Sequence, residues 1–204
     1  MLNNLVLDNL ENIVEEIVKS GFSHLTLLRY KPPASQKQWQ KQSPTPQRMA
    51  KIAKHIDKIK RSYQNLHLRI DCALSFLQRH IPPETAYSKG IRGCVAGKRI
   101  LAMGPNGNLY PCSQLIDKRF LIGNILKNDY QNLWKNFPAL QKIRNFREQS
   151  HFKKTSCGQC KAINQCGGCR IFSTDGMGAD VGCPKVILLD GIHSRKEQLQ
   201  HLWN

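Results

Sequence analysis

Seven of the eight cysteines in this chain follow one ordered pattern, and thiols are side chains well suited to hold a soft metal. Five of them lie close together, with the spacing C-x2-C-x5-C-x2-C followed by one more cysteine. Short loops of this kind let the flanking sulfurs turn toward one centre. Because a four-coordinate ion needs fewer ligands than this, the pattern predicts two metal centres. The seven residues are Cys94, Cys112, Cys157, Cys160, Cys166, Cys169 and Cys183.

The first residues of the chain give no sign of export. Met1–Leu5 lacks the basic start and the apolar run of a signal peptide, and no segment approaches the roughly 20 apolar residues of a membrane helix. A cytoplasmic location without membrane contact is therefore expected. In a reducing compartment, clustered cysteines are metal ligands more often than disulfides, which disfavours a disulfide framework.

The formal net charge of +17 also bears on function. Clustered Lys and Arg would indicate a nucleic-acid surface, since they neutralise phosphates. Here the basic residues are spread along the chain and are not interleaved with aromatic residues on one element. Thiolate-held iron–sulfur clusters are anionic, and nearby cations favour them. Nucleic acid is therefore a disfavoured partner.

The first part of the chain must position whatever these cysteines hold, and its predicted elements alternate between helix and strand. Two strands cannot complete a barrel or a doubly wound sheet, so residues 1–85 are predicted to be the end of a larger βα architecture. The predicted elements are a helix over 8–20 capped by Asp8, a strand over 24–30, a polar loop over 32–47, a helix over 46–62 and a strand over 65–73.

Beyond Gly93 the predicted elements are shorter. Asn106-Gly107 between two apolar runs indicates a hairpin, whose turn folds the chain back so that Cys94 and Cys112 face one centre. Trp134 and Phe137 are predicted to be core residues. The elements are strands over 98–103 and 108–112 and helices over 128–137, 138–146 and 184–203. The chain as a whole is predicted to be α+β.

The order of the cysteines resembles that of the SPASM domain, the auxiliary iron–sulfur cluster module of radical SAM enzymes. That pattern is C-x9–15-G-x4-C, a gap, C-x2-C-x5-C-x3-C, a gap and a last cysteine. The matching segments are Cys94-x12-Gly107-x4-Cys112, Cys157-x2-Cys160-x5-Cys166, Asn108-Leu-Tyr-Pro-Cys112, and Gly123-Asn124-Ile125 followed by Leu133-Trp134. The resemblance covers roughly residues 65–190.

This chain departs from the family in two places. Cys166-Gly-Gly-Cys169 has two intervening residues where the general pattern has three. The sequence also lacks the C-x3-C-x2-C triplet that leaves one iron open for S-adenosylmethionine, so this chain alone is not expected to bind or cleave that cofactor. The chain therefore resembles the C-terminal part of such an enzyme, with a partial-barrel remnant over 1–85 and a SPASM domain over 86–204.

The resemblance implies two [4Fe-4S] clusters that organise a small domain of a β-hairpin and helices. One set of ligands is Cys157, Cys160, Cys166 and Cys183, and the other is Cys94, Cys112 and Cys169 with a fourth ligand unassigned. We predict that Cys72, which lies at the end of the predicted strand over 65–73, approaches this second cluster. The alternative is a plain buried thiol in the core. Asp180 is predicted to cap a loop rather than to bind metal.

The family implies electron transfer or the handling of a peptide substrate in a peptide- or protein-modifying maturase, with no catalytic residue assigned here. The expected partners are a peptide or protein substrate, or a separate radical SAM or redox protein. Three alternatives stay open: a structural zinc site, a basic module that binds nucleic acid, and an inactive truncated gene product. Zinc is disfavoured because the two C-x2-C pairs of a zinc site are normally separated by a longer loop than the five residues between Cys160 and Cys166.

Overall fold

A computed structural model describes residues 1–31, 41–173 and 176–189 of the 204-residue chain. Within these ranges the chain mixes short helices with two small sheets. The α-helices are α1 (Asn4–Asp8), α2 (Leu10–Lys19), α3 (Pro46–Ser62), α4 (Pro83–Ser88), α5 (Tyr130–Asn136), α6 (Pro138–Arg144), α7 (Ser150–Lys153) and α8 (Pro184–Leu189). The strands are β1 (His24–Leu27), β2 (His67–Ile70), β3 (Ala102–Met103), β4 (Asn108–Tyr110) and β5 (Gly123–Asn124).

The first predicted helix is two helices, and its predicted cap is wrong. Asn3 caps α1 by accepting a hydrogen bond from the Val6 N–H at 2.8 Å, which starts the helical region before Asp8. Asp8 is the last residue of α1, where its carboxylate pairs with Arg48 of α3. Asn9 then interrupts the helix before α2 begins.

The strands β1 and β2 are parallel neighbours, and α3 connects them. The Thr45 hydroxyl accepts a hydrogen bond from the Arg48 N–H at 3.2 Å and Pro46 occupies the first turn, so α3 begins where it was predicted. Ile52, Ile56 and Ile59 bury one face of this helix in the core with β1. The arrangement is a single βαβ unit whose strands are shorter than predicted.

The second sheet is antiparallel, with the order β3-β4-β5. Gly107 has φ +80°, a left-handed conformation that suits the predicted turn between β3 and β4. The strand β5 was not predicted. It is held at the sheet by Asn124, whose side-chain amide donates to Asn106 O at 2.8 Å and to Asn108 Oδ1 at 2.9 Å.

The helices α5 and α6 cover this sheet. Asp129 caps α5, and the predicted core residues Trp134 and Phe137 pack around buried Leu109, Ile122 and Leu140. The last predicted helix begins at Pro184 as expected, but residues 190–203 of that prediction lie outside the described residues, as does 32–40 of the polar loop. Among the described helices, none has the length and apolar character to cross a membrane.

Contacts cross the predicted boundary between residues 85 and 86. The core that surrounds α3 also contacts Cys166 and Cys183. The Gln165 side-chain amide donates to the carbonyl oxygen of Ile81 at 2.9 Å. The cysteine-bearing segment is therefore packed directly on the βαβ unit.

Candidate metal centres

All eight cysteines are free thiols, and they line two cavities with four cysteines each. We call them the hairpin cavity and the loop cavity. The hairpin cavity is lined by Cys72, Cys94, Cys112 and Cys169. The loop cavity is lined by Cys157, Cys160, Cys166 and Cys183.

The hairpin cavity receives its cysteines from separate elements. Cys94 precedes the antiparallel sheet, and Cys112 follows β4. The turn between β3 and β4 folds the chain back, so both cysteines line the same cavity. Cys169 comes immediately before a 3-10 helix over Arg170–Phe172. The apolar side chains of Ala96, Ile100, Leu115 and Ile171 complete the wall.

Cys72 lies on the first turn of a 3-10 helix over Cys72–Gln78, directly after β2. The Asp71 carboxylate caps this turn by accepting from the Ala73 N–H at 3.2 Å, and the Lys31 ammonium pairs with the same carboxylate at 2.7 Å. Cys72 is exposed, so the alternative of a buried core thiol is wrong. Its presence in the hairpin cavity is what a fourth ligand there requires.

The loop cavity depends on close backbone approaches that only glycine permits. A Cβ at Gly158 would lie 2.1 Å from the Phe152 carbonyl oxygen. Gly167 and Gly168 have φ +68° and +77°, which side chains rarely adopt, and a Cβ at Gly168 would lie 2.6 Å from Asp180 Cβ. These two glycines carry the chain from Cys166 in the loop cavity to Cys169 in the hairpin cavity.

Backbone N–H groups point at cysteine sulfurs of the loop cavity. The Gly168 N–H donates to Cys166 Sγ at 3.4 Å, and the Asp180 N–H donates to Cys157 Sγ at 3.4 Å. Such bonds favour the thiolate, but burial opposes them and raises the pKa of Cys157 and of Cys166 to about 12. Metal ligands must be deprotonated, so a metal that binds here displaces protons.

A buried ion pair lies between the two cavities. Arg29, just beyond β1, binds Asp180 with both nitrogens of its guanidinium fork, at 2.7 Å and 3.0 Å. Arg29 also donates to Ala73 O at 3.0 Å and stacks on the Phe172 ring at 3.4 Å. Asp180 accepts from the Cys169 N–H and the Gly182 N–H, each at 2.9 Å. Asp180 thus caps its loop as predicted.

Cations line both cavities. Lys31 and Arg170 contact the hairpin cavity, and Arg79 and Lys185 contact the loop cavity. Arg170 is fully buried between the Phe146 and Phe152 rings and donates to the Gly167 carbonyl oxygen at 2.6 Å. Positive charge near both cavities favours anionic contents.

The residues fit iron–sulfur clusters in their donor chemistry. Within the described part of the chain, each cavity offers four thiols and no carboxylate or imidazole in its lining, which is the donor set of [4Fe-4S] clusters and of four-cysteine zinc sites. Among the same described residues, no group of three or more His, Cys, Asp or Glu side chains is arranged to hold a single metal ion.

Sequence reasoning found the cysteines but missed the residues that link the two cavities. Arg29 has no sequence signal, because an arginine after a short strand normally faces solvent. Its partner is 151 residues away in the chain. The sequence also gives no signal for a role of Lys31, and only the fold brings this residue to the hairpin cavity.

Comparison with known proteins finds a matching family and several relatives. The SPASM family, described as an iron–sulfur cluster-binding domain, matches residues 94–169. Mycofactocin maturase MftC of Mycobacterium ulcerans (strain Agy99) is 33% identical over 82 residues, which is 39% of this chain and 21% of the relative. MftC of Mycobacterium tuberculosis (strain ATCC 25618 / H37Rv) is 31% identical over 94 residues, 44% of this chain and 23% of the relative.

A further relative is the AdoMet-dependent heme synthase of Methanosarcina barkeri, 30% identical over 84 residues, 41% of this chain and 22% of that protein. The matches thus span less than a quarter of these relatives' lengths. Among solved structures, native anSMEcpe with bound AdoMet superposes with a TM-score of 0.58 at 13% identity, over 98% of this chain and 52% of that one. Its form with AdoMet and the Cp18Cys peptide gives the same score. This likeness concerns the fold.

Proposed function

From the premise that this chain carries the SPASM domain of radical SAM enzymes, we propose that it binds two [4Fe-4S] clusters and serves a peptide-modifying maturase in electron transfer or substrate handling. The observation that carries this proposal is the division of eight cysteines into two cavities of four. A two-cluster domain needs that arrangement, whereas a single structural ion would leave half of the thiols without a role.

The proposed ligands of the loop cavity are Cys157, Cys160, Cys166 and Cys183. Those of the hairpin cavity are Cys94, Cys112 and Cys169, with Cys72 as the fourth. Clusters of this type, when bound, supply one-electron transfer. The chain's own part is to supply the thiolates, to place cations beside them and to line the cavities with apolar side chains. We also propose that residues 86–204 form the cluster domain and residues 1–85 the edge of a partial barrel.

Two findings support a peptide as the substrate class. Several relatives are named mycofactocin maturase, and one of the matched solved structures contains the Cp18Cys peptide. A separate redox or radical SAM protein is the other kind of partner that we propose for this role.

Metal content tests the proposal. After anaerobic reconstitution with iron and sulfide, the protein should be brown and hold about eight irons per chain, since two four-iron centres are proposed. Iron and acid-labile sulfide should be measured alongside zinc on the same samples. A colourless protein that takes up stoichiometric zinc and rejects iron and sulfide would overturn the proposal in favour of a structural zinc module.

A second measurement concerns S-adenosylmethionine. The reconstituted and reduced chain should form no 5′-deoxyadenosine above a cluster-free control, because all eight cysteines are committed to the two cavities. Product above that control would show that one iron is open to the cofactor and that the ligand assignment is wrong.

A further inference from the structure

The ion pair between Arg29 and Asp180 touches the ligand segments of both cavities. The Asp180 carboxylate accepts from the Cys169 N–H of the hairpin cavity, while the Asp180 N–H donates to Cys157 Sγ of the loop cavity. The same carboxylate also accepts from the N–H of Gly182, directly before Cys183 of the loop cavity. One residue therefore positions ligands on both sides.

The charges of this pair also lie next to the ligand segments of both cavities. The Asp180 carboxylate is 2.9 Å from the backbone nitrogen of Cys169 in the hairpin cavity and 2.9 Å from that of Gly182, the residue before Cys183 of the loop cavity, and the Arg29 guanidinium binds the same carboxylate at 2.7 Å and 3.0 Å. The side chains of Arg29 and Asp180 are only 5% and 0% exposed. Water and salt therefore screen these charges far less than they screen a surface ion pair.

We propose that the Arg29–Asp180 pair is a shared positioning element that sets the reduction potentials of both centres together. This inference rests on the proposed function. Reduction adds an electron to a centre that is already anionic, so a nearby positive charge favours the reduced form and a nearby negative charge opposes it. Removing one of the two charges should consequently shift the potentials of the two centres in the same direction as each other. The direction should be opposite for removal of the positive and of the negative charge.

The experiment uses the reconstituted full chain and follows both centres in one redox titration monitored by electron paramagnetic resonance. Asp180→Asn keeps the shape and one acceptor oxygen but removes the negative charge, so both midpoint potentials should become more positive. Arg29→Gln should make both more negative, and Arg29→Lys, which keeps the charge, should restore most of that change. A purely structural role would not produce shifts of opposite sign in the two variants.

Lys31→Gln is the matched control. Lys31 lines the hairpin cavity and pairs with Asp71, and it is absent from the lining of the loop cavity. Its neutralisation should move the potential of one centre and leave the other at its original value. A Lys31→Gln variant that moves both equally would show that a general field, not the buried pair, couples the centres.

The result that overturns the inference is a shift of only one centre, or of neither, in an Asp180→Asn protein that retains its full iron content. If the Asp180→Asn protein does not retain iron, the Arg29 variants decide. Both potentials should become more negative in Arg29→Gln, and Arg29→Lys should restore most of that change; any other result overturns the inference. Failure of the proposed function is distinct, because the unaltered chain would then lack two iron–sulfur signals from the start.

Discussion

Cys166→Ser and Cys169→Ser are expected to abolish different iron–sulfur centres, although the two residues are three positions apart. Cys166 lines the loop cavity and Cys169 lines the hairpin cavity. Each variant should therefore lose one centre and hold about four irons per chain instead of about eight. The two remaining spectra should differ from each other and should add up to the spectrum of the unaltered protein.

The control for this pair is Cys72→Ser, which tests the proposed fourth ligand of the hairpin cavity. It should change the spectrum of the centre that Cys166→Ser leaves intact and leave the other unchanged. Identical spectra for Cys166→Ser and Cys169→Ser would mean that both cysteines serve one centre. An unchanged spectrum and iron content in Cys72→Ser would instead give the hairpin centre an open iron or a different ligand.

Gly93→Ala is expected to cause the largest loss of stability of any single methyl addition beside the cavities. Gly93 has φ +65°, and a Cβ there would lie 1.8 Å from the backbone carbonyl oxygen of Cys166. The left-handed conformation alone costs about 1–2 kcal/mol for a residue with a side chain. Because backbone cannot rotate away as a side chain can, Cys94 and Cys166 would have to move apart, which adds to that cost.

Gly90→Ala separates these two contributions. Gly90 has φ +73°, but a Cβ there meets nothing within 4 Å, so this variant bears the conformational cost alone. Urea unfolding of the metal-free proteins should give a larger loss for Gly93→Ala than for Gly90→Ala, and iron retention should fall only in the former. Equal losses would show that the segment around Gly93 relaxes without disturbing Cys166.

Local chemistry explains which features could be predicted from the sequence. The start of α3 follows from Thr45 and Pro46, and the turn of the hairpin follows from Asn106-Gly107, because capping and turn geometry depend on neighbouring residues. The ordered pattern of seven cysteines is visible in their spacing, and their division into two ligand sets came from the family resemblance and stays a prediction; in the structure the same two groups line the two cavities. These signals lie within a few residues or within one motif.

The missed features depend on distant residues or on a choice between two local signals. The strand β5 depends on backbone hydrogen bonds to the hairpin, from Ile122 N–H to Leu109 O and from Ile125 N–H to Gly107 O, each at 2.9 Å, and on the side-chain bonds of Asn124, not on a local preference of Gly123-Asn124 for extended structure. The first helix was misplaced because Asn3 and Asp8 are both good caps and only the structure shows which one acts. Arg29 carries no local mark of its buried role, since its partners come from the 3-10 helix after β2 and from the last described segment.

The sequence separation of Arg29 and Asp180 has a consequence for biosynthesis. The two residues are 151 positions apart, so at 5–20 residues per second Asp180 is synthesised roughly 8 to 30 s after Arg29. During that interval the guanidinium of Arg29 lacks its carboxylate partner, and the loop cavity lacks at least Cys183. Under the proposed assignment, neither cluster has all its ligands before Cys169 and Cys183 have been synthesised, so cluster insertion would follow the synthesis of the cysteine-rich segment.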